Sequence, residues 1–377
     1  MSESLGSHSS PQRKRGRATE PFLLCLCTIL TCVSVAIADE PSAESKFLSN
    51  ARQITALQEK AGEGYFSPDG KTIIYQAVPL GYPFYQIYTQ PAPVAGDAAK
   101  PKDANLPRLV STGRGRTTCA FFAPDGKSVI FASSHLDPKL DATVQKARDQ
   151  AAEDKKSGKT RRYQWDFDPA MEIFRANLDG SGLTRLTNSP GYDAECAFSP
   201  DGKQIVFCSD RDGDPDLYIM DADGGNVRQL TNSPGYDGGP FFSPDGKWIV
   251  FRSDRKKQGF LQIMAIGVDG QHETALTDNV GVNWAPYWHP TEPYLIWTGA
   301  DHSNPAARPN YDLWLMRYEI KPDGVHAAGP VTRVTDHRSA DVLPVFSPDG
   351  RQLLWTSNRG DGHASQLWIA DFKFPPN

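Results

Sequence analysis

Asp193-Ala194-Glu195-Cys196-Ala197-Phe198-Ser199-Pro200-Asp201-Gly202-Lys203-Gln204-Ile205-Val206-Phe207-Cys208-Ser209 reads as two short strands around a tight turn. Pro200 presets the φ the turn needs, and Gly202 is free to take positive φ. A polar loop follows, then an apolar run at 216–221, a second turn at Asp223-Gly224-Gly225, and a last extended piece at 227–231. Strands A to D therefore lie at 193–199, 204–209, 216–221 and 227–231, the pattern of one antiparallel four-stranded sheet.

The turn recurs along the whole chain. It returns as Ser67-Pro68-Asp69-Gly70, Ala123-Pro124-Asp125-Gly126, Ser243-Pro244-Asp245-Gly246 and Ser347-Pro348-Asp349-Gly350, with a decayed copy at His289-Pro290-Thr291-Glu292. An aromatic residue precedes each: Phe66, Phe122, Phe198, Phe242, Trp288 and Phe346. The distance from the apolar residue of one strand D to the next turn is 13 residues in five cases and 14 in the sixth. Six equal units of this kind predict an all-β, six-bladed propeller with four strands per blade.

The two ends of the repeat array are complementary. Arg52-Gln53-Ile54-Thr55 matches Arg228-Gln229-Leu230-Thr231 but follows no strands A to C, and residues 342–372 supply A, B and C but no D. The N-terminal strand is expected to complete the last blade, which closes the ring and leaves no open inner edge.

Composition bounds the rest. The 377 residues are 39% hydrophobic, enough for one large core, and the net charge of −5 gives no basic stripe for nucleic acid. Arg13-Lys14-Arg15 and Arg17 precede an apolar run at 22–38 ending Ala36-Ile37-Ala38. This predicts a secretory signal peptide over 1–38, cut before Asp39, and a periplasmic or secreted product. A retained membrane helix is the other reading of the run, and Thr31 before Cys32 makes a poor lipoprotein match. The mature chain keeps Cys119, Cys196 and Cys208. Counting back from the turn puts Cys208 opposite Glu195, so no disulfide is expected and the thiols should be buried.

Two blades carry inserts between strands B and C. In blade two the insert spans 135–168, with a helix at 137–157 that carries Leu140, Val144, Ala147 and Ala151 at helical spacing, Pro138 at its start and Gly158 after its end. Blade five has a loop at 300–310. Both inserts fall on one rim of the disc, called here the insert rim, and irregular loops on a rigid scaffold make it the expected working face.

Candidate site residues follow from this geometry. Six residues before each turn stand Ala61, Thr117, Asp193, Asp237, Asn283 and Asp341, placed to encircle the channel mouth. They read either as a collar binding a divalent cation or a basic side chain, or as caps for their own loops. Asp210-Arg211, Asp254-Arg255 and Asn358-Arg359 read as structural pairs. His135, His302, His337 and His363 share the insert rim, either as solvated residues or as metal ligands, although no pair has zinc-site spacing. Arg161, Arg162, Tyr163 and Trp165 mix the residue types of binding hot spots and serve either a partner or the anchoring of the insert. No G-x-S-x-G elbow, phosphate loop or dinucleotide fingerprint occurs, so no catalytic residue is assigned and no cofactor is expected beyond that channel cation.

Ser-Pro-Asp-Gly-Lys, the following Ser-Asp-Arg, residues 217–225 and Arg228-Gln229-Leu230-Thr231-Asn232 together resemble the TolB-type β-propeller over residues 51–372. The resemblance implies a non-enzymatic periplasmic propeller that binds an envelope protein, such as a peptidoglycan-associated lipoprotein, over one face; a monomer is expected. The α/β domain that precedes the propeller in TolB is not expected here. Similar propellers also imply two other roles. One is the non-catalytic half of prolyl-oligopeptidase-like enzymes, whose hydrolase half is not expected in this chain. The other is an oligogalacturonide lyase with a channel-bound metal.

Overall fold

In the computed structural model, which describes residues 42–93, 106–159, 167–304 and 306–375, each Ser-Pro-Asp-Gly turn is closed by its own side chains. The Ser67 hydroxyl donates to Asp69 (2.6 Å) and accepts from the Thr72 amide (2.9 Å), while Asp69 accepts from the Lys71 amide at 3.1 Å. The same bonds recur around Ser199, Ser243 and Ser347. In the decayed copy the His289 ring takes over, accepting the Glu292 amide through Nδ1 at 3.0 Å. These bonds explain why serine and aspartate occupy those positions: each satisfies a backbone donor that strand pairing leaves over.

Six antiparallel sheets form among the described residues, five of four strands and one of five. Blade three has strands at Asp193–Phe198, Gln204–Ser209, Asp216–Asp221 and Arg228–Gln229, as the sequence predicts. Blade five gains a strand because Asp312–Lys321 runs on and pairs with Gly324–Ala327. Eight residues after the start of each turn stands a large aromatic: Tyr75, Phe131, Phe207, Phe251, Trp297 and Trp355, each at most 2% exposed. Burying such a ring is worth roughly 1.5–3 kcal/mol, and each blade buries one at the same position.

The threonine that ends each strand D has a fixed task. Thr231 Oγ1 accepts the Leu217 amide at 2.9 Å, and Thr187, Thr277 and Thr335 do the same in their blades, with Ser111 in blade one. Thr55 performs this task for Leu367, 312 positions away (2.9 Å). The N-terminal strand Leu48–Gln53 pairs with Gln366–Phe372, with Gln53 opposite Trp368, and the Ile54 amide donates to the Leu367 carbonyl (2.8 Å). Ring closure by the N-terminal strand is thus present as expected. A short helix α1, Ala43–Phe47, reinforces it: Glu44 accepts from Arg359 (2.8 Å), and Phe47 is buried beside Phe372.

The insert of blade two contains helix α2, Leu140–Ser157, stopped by Gly158 at φ +65°. Only Leu140 is buried, and Ala151 is exposed. The apolar spacing reflects a weak stripe that covers little. Arg114 pairs with Asp141 (3.1 Å), and Arg148 donates to the Gly81 carbonyl (3.3 Å). The expected leader and the hot-spot residues Arg161, Arg162, Tyr163 and Trp165 lie outside the described residues. No helix among the described residues is long and apolar enough to cross a membrane.

Candidate functional site

Strand A of every blade, the strand nearest the axis, contains an extra residue that breaks its register with strand B. The residues at this bulge are Glu63, Cys119, Glu195, Gly239, Ala285 and Leu343, all with φ between +44° and +59°. Left-handed backbone is costly for non-glycine residues, and five of the six are not glycine. A bulge re-aims the side chain it carries. Here it turns these six positions toward the axis, where they line a cavity of about 410 Å³ that opens on the insert rim.

This displaces the channel ring by two residues from its sequence-predicted place. Asp193, Asp237 and Asp341 are fully buried and paired with the arginines of the following Asp/Asn-Arg motif. Arg211 reaches Asp193 at 3.0 Å and lies over the Phe207 ring; Arg255 and Arg359 repeat the arrangement over Phe251 and Trp355. Asn283 accepts from the Trp297 indole (3.0 Å), and Thr117 meets Ser133 (3.1 Å). None of these five lines the cavity, and Ala61 is buried. The same bulge puts Cys208 opposite Ala194 rather than Glu195; Cys119, Cys196 and Cys208 are all buried and free.

The histidines do not converge. His135 packs on Phe174 at 4.4 Å, His302 lies near Phe260 and Tyr311, His337 accepts the Ser339 amide, and His363 is exposed. None lines the cavity, and among the described residues no group of three His, Cys, Asp or Glu side chains is placed to share a metal ion.

Two residues below the bulge ring, Tyr65, Phe121, Phe241 and Tyr287 pack against one another with centroids 5.1–6.3 Å apart. Tyr65, Phe241 and Tyr287 form the cavity floor, and Phe121 packs behind them. A second cavity of about 410 Å³ lies on their far side, ringed by Pro68, Pro124, Pro200, Pro244, Pro290 and Pro348. The aromatic layer thus divides the axis into two blind cavities.

The insert-rim cavity has two unlike walls. Trp284, Pro286, Val342 and Leu343 make one side apolar. The opposite side is built around Glu195, which accepts from the Tyr236 hydroxyl (2.7 Å), the Gly239 amide (2.6 Å), Arg252 (2.8 Å) and the Tyr192 hydroxyl (3.1 Å). Burial works against the Arg252 charge, but Tyr236 and Glu195 outweigh it and its pKa moves up. At the mouth, Lys60 sits 4.9 Å over the Tyr85 ring, and burial lowers its pKa.

Glu63 is the exception on this wall. Its carboxylate accepts from the Tyr65 hydroxyl (3.2 Å) and makes a long contact with Cys119 Sγ (3.8 Å), and no described cation lies within ion-pair distance. Burial, aided by the charge of Glu195, raises its pKa to about 7 against the bond from Cys119. Burial followed by the two carboxylates lifts Cys119 well above the usual thiol range, which argues against a thiolate nucleophile.

Glu63 also makes stability depend on pH. Above its ordinary pKa of 4.5 the unfolded chain releases a proton that the folded chain holds until about 7. Stability therefore falls as pH rises through that window. Glu63→Gln removes the loss and should melt higher than wild type at pH 8, by about 1–3 kcal/mol in stability, with no gain at pH 4.5. An equal effect at both pH values would show that Glu63 is ionised in the fold throughout.

Comparison with known proteins gives the same architecture. The family model of the Tricorn protease N-terminal beta propeller domain matches residues 164–285. The Tol-Pal system protein TolB of Bordetella pertussis is 53% identical over 38 residues, 10% of this chain and 9% of that protein's length. A structure assigned to TolB from Agrobacterium tumefaciens superposes with a TM-score of 0.53 at 24% identity, covering 83% of this chain and 90% of that one. An oligogalacturonate lyase from Vibrio parahaemolyticus superposes with a TM-score of 0.50 at 13% identity, covering 85% and 93%. The chain is a TolB-like six-bladed β-propeller. Because a Tol-Pal system protein and an oligogalacturonate lyase share this fold, the fold does not choose between their roles.

Proposed function

We propose that this chain is an exported, non-enzymatic binding module that receives a segment of a cell-envelope protein in its insert-rim cavity. The observation that carries the reading is the blind cavity itself. Its aromatic floor leaves entry from the insert rim alone, and a polar wall facing an apolar wall suits an amphipathic group better than a reacting bond. The separation of the four histidines favours binding over metal-assisted cleavage of a carbohydrate. The likeness to TolB and the basic and apolar N-terminal stretch support export and an envelope partner.

Site-specific photocrosslinking tests this. A benzophenone amino acid is placed either at Ser365, on the cavity lining, or at Lys203, on an exposed turn of the opposite rim. On irradiation of intact cells, position 365 should yield one adduct of defined mass in the envelope fraction, and position 203 none. Adducts of equal yield at both positions, or none at 365, would overturn the reading.

A further inference from the structure

We infer that the group seated in the insert-rim cavity is the side chain of a lysine or arginine of the partner, its cation meeting the carboxylate of Glu63. The inference rests on the binding role proposed above. It follows from a charge count on the polar wall. Glu195 and Arg252 face each other at 2.8 Å and cancel, with Tyr236 and the Gly239 amide completing the shell around Glu195. Among the described residues, ionised Glu63 then has no ion-pair partner of its own: its hydrogen-bond partners are Tyr65 and Cys119, and Arg252 acts on it only from beyond ion-pair distance. An uncompensated buried carboxylate is costly, and a cation delivered by a ligand removes that cost.

The other charged and titratable groups around Glu63 fit this assignment. Tyr65 and Cys119 lie beside it on strand A of blades one and two, and burial raises the pKa of both, which keeps them neutral. Tyr85, also raised by burial to about 12, stays neutral at the mouth. Lys60 is held over that ring and forms no ion pair with Glu63. Leu343 and Trp284 across the cavity present the apolar surface that the methylene stem of a lysine or arginine covers as it enters.

The test uses acetylated, amidated pentapeptides Gly-Ser-Xaa-Ser-Gly, with lysine, arginine, norleucine or glutamate at the centre, titrated by NMR into the protein. At pH 8 the lysine and arginine peptides should bind at least about tenfold tighter than norleucine, a step of about 1.4 kcal/mol. The preference should shrink at pH 5.5, where Glu63 is protonated, and vanish in Glu63→Gln. Equal binding of norleucine, a preference for glutamate, or a lysine preference that survives Glu63→Gln would each overturn the assignment. The wild-type pH dependence keeps the test decisive should the variant be unstable. The crosslink at position 365 separates this inference from the binding role: an envelope adduct without lysine preference removes the cation assignment alone.

Discussion

Removing residues 42–55 should leave the protein unable to persist as a folded monomer. The deletion strips the outer edge of blade six and exposes the backbone of Gln366–Phe372, an unpaired strand of the kind that aggregates. It also removes the Thr55 hydroxyl that holds the Leu367 amide, the Glu44 carboxylate on Arg359, and two buried apolar side chains, Phe47 and Leu48. Each apolar side chain alone is worth roughly 1.5–3 kcal/mol. The truncated chain should aggregate, or melt on the order of 10 °C or more below the intact protein. Adding a peptide spanning 42–57 should restore part of the lost stability. A truncated monomer with unchanged melting would mean that the ring is held by blade packing alone.

Arg252→Ala should be the most damaging single substitution in the cavity wall. Glu195 is 3% exposed, and without Arg252 its charge is buried with only neutral donors. Removing one partner of a buried pair costs about 3–5 kcal/mol because the other charge remains. Glu195→Gln in the same chain should recover most of that loss, since the amide oxygen still accepts from Tyr236 and Gly239. Denaturant melts of the two single variants and the double variant measure the coupling. A loss below about 1 kcal/mol for Arg252→Ala, or no recovery in the double variant, would show that water reaches Glu195 and that the wall is not a closed network.

The collar of Asp193, Asp237 and Asp341 illustrates how far side-chain alternation carries in a strand. The sequence places those residues at the channel mouth because they stand six positions before each turn, where the chain enters strand A. The bulge adds one residue and hands the axial position to Glu63, Cys119, Glu195, Gly239, Ala285 and Leu343. The sequence carries no specific signal for it: Pro240, Pro286 and Pro344 stand inside strand A, but strand A is the inner edge of its sheet, where proline is tolerated with or without a bulge. The Asp-Arg pairs, by contrast, were read as structural from their types alone, and the ion pairs with Asp193 and Asp237 have that character.

The blade, the number of blades and the closure of the ring are legible in the residues alone, because the turn chemistry and its spacing recur in every unit. Serine, proline, aspartate and glycine close a turn wherever they occur together, and the equal spacing leaves the N-terminal strand one place to pair. The contents of the cavity emerge only when the blades are assembled. Its walls are assembled from residues as far apart as Lys60 and Ser365, and its charge balance depends on which carboxylate Arg252 reaches across a blade boundary. A repeat constrains neighbours within a blade; the partner of a side chain at the axis is set by the five other blades.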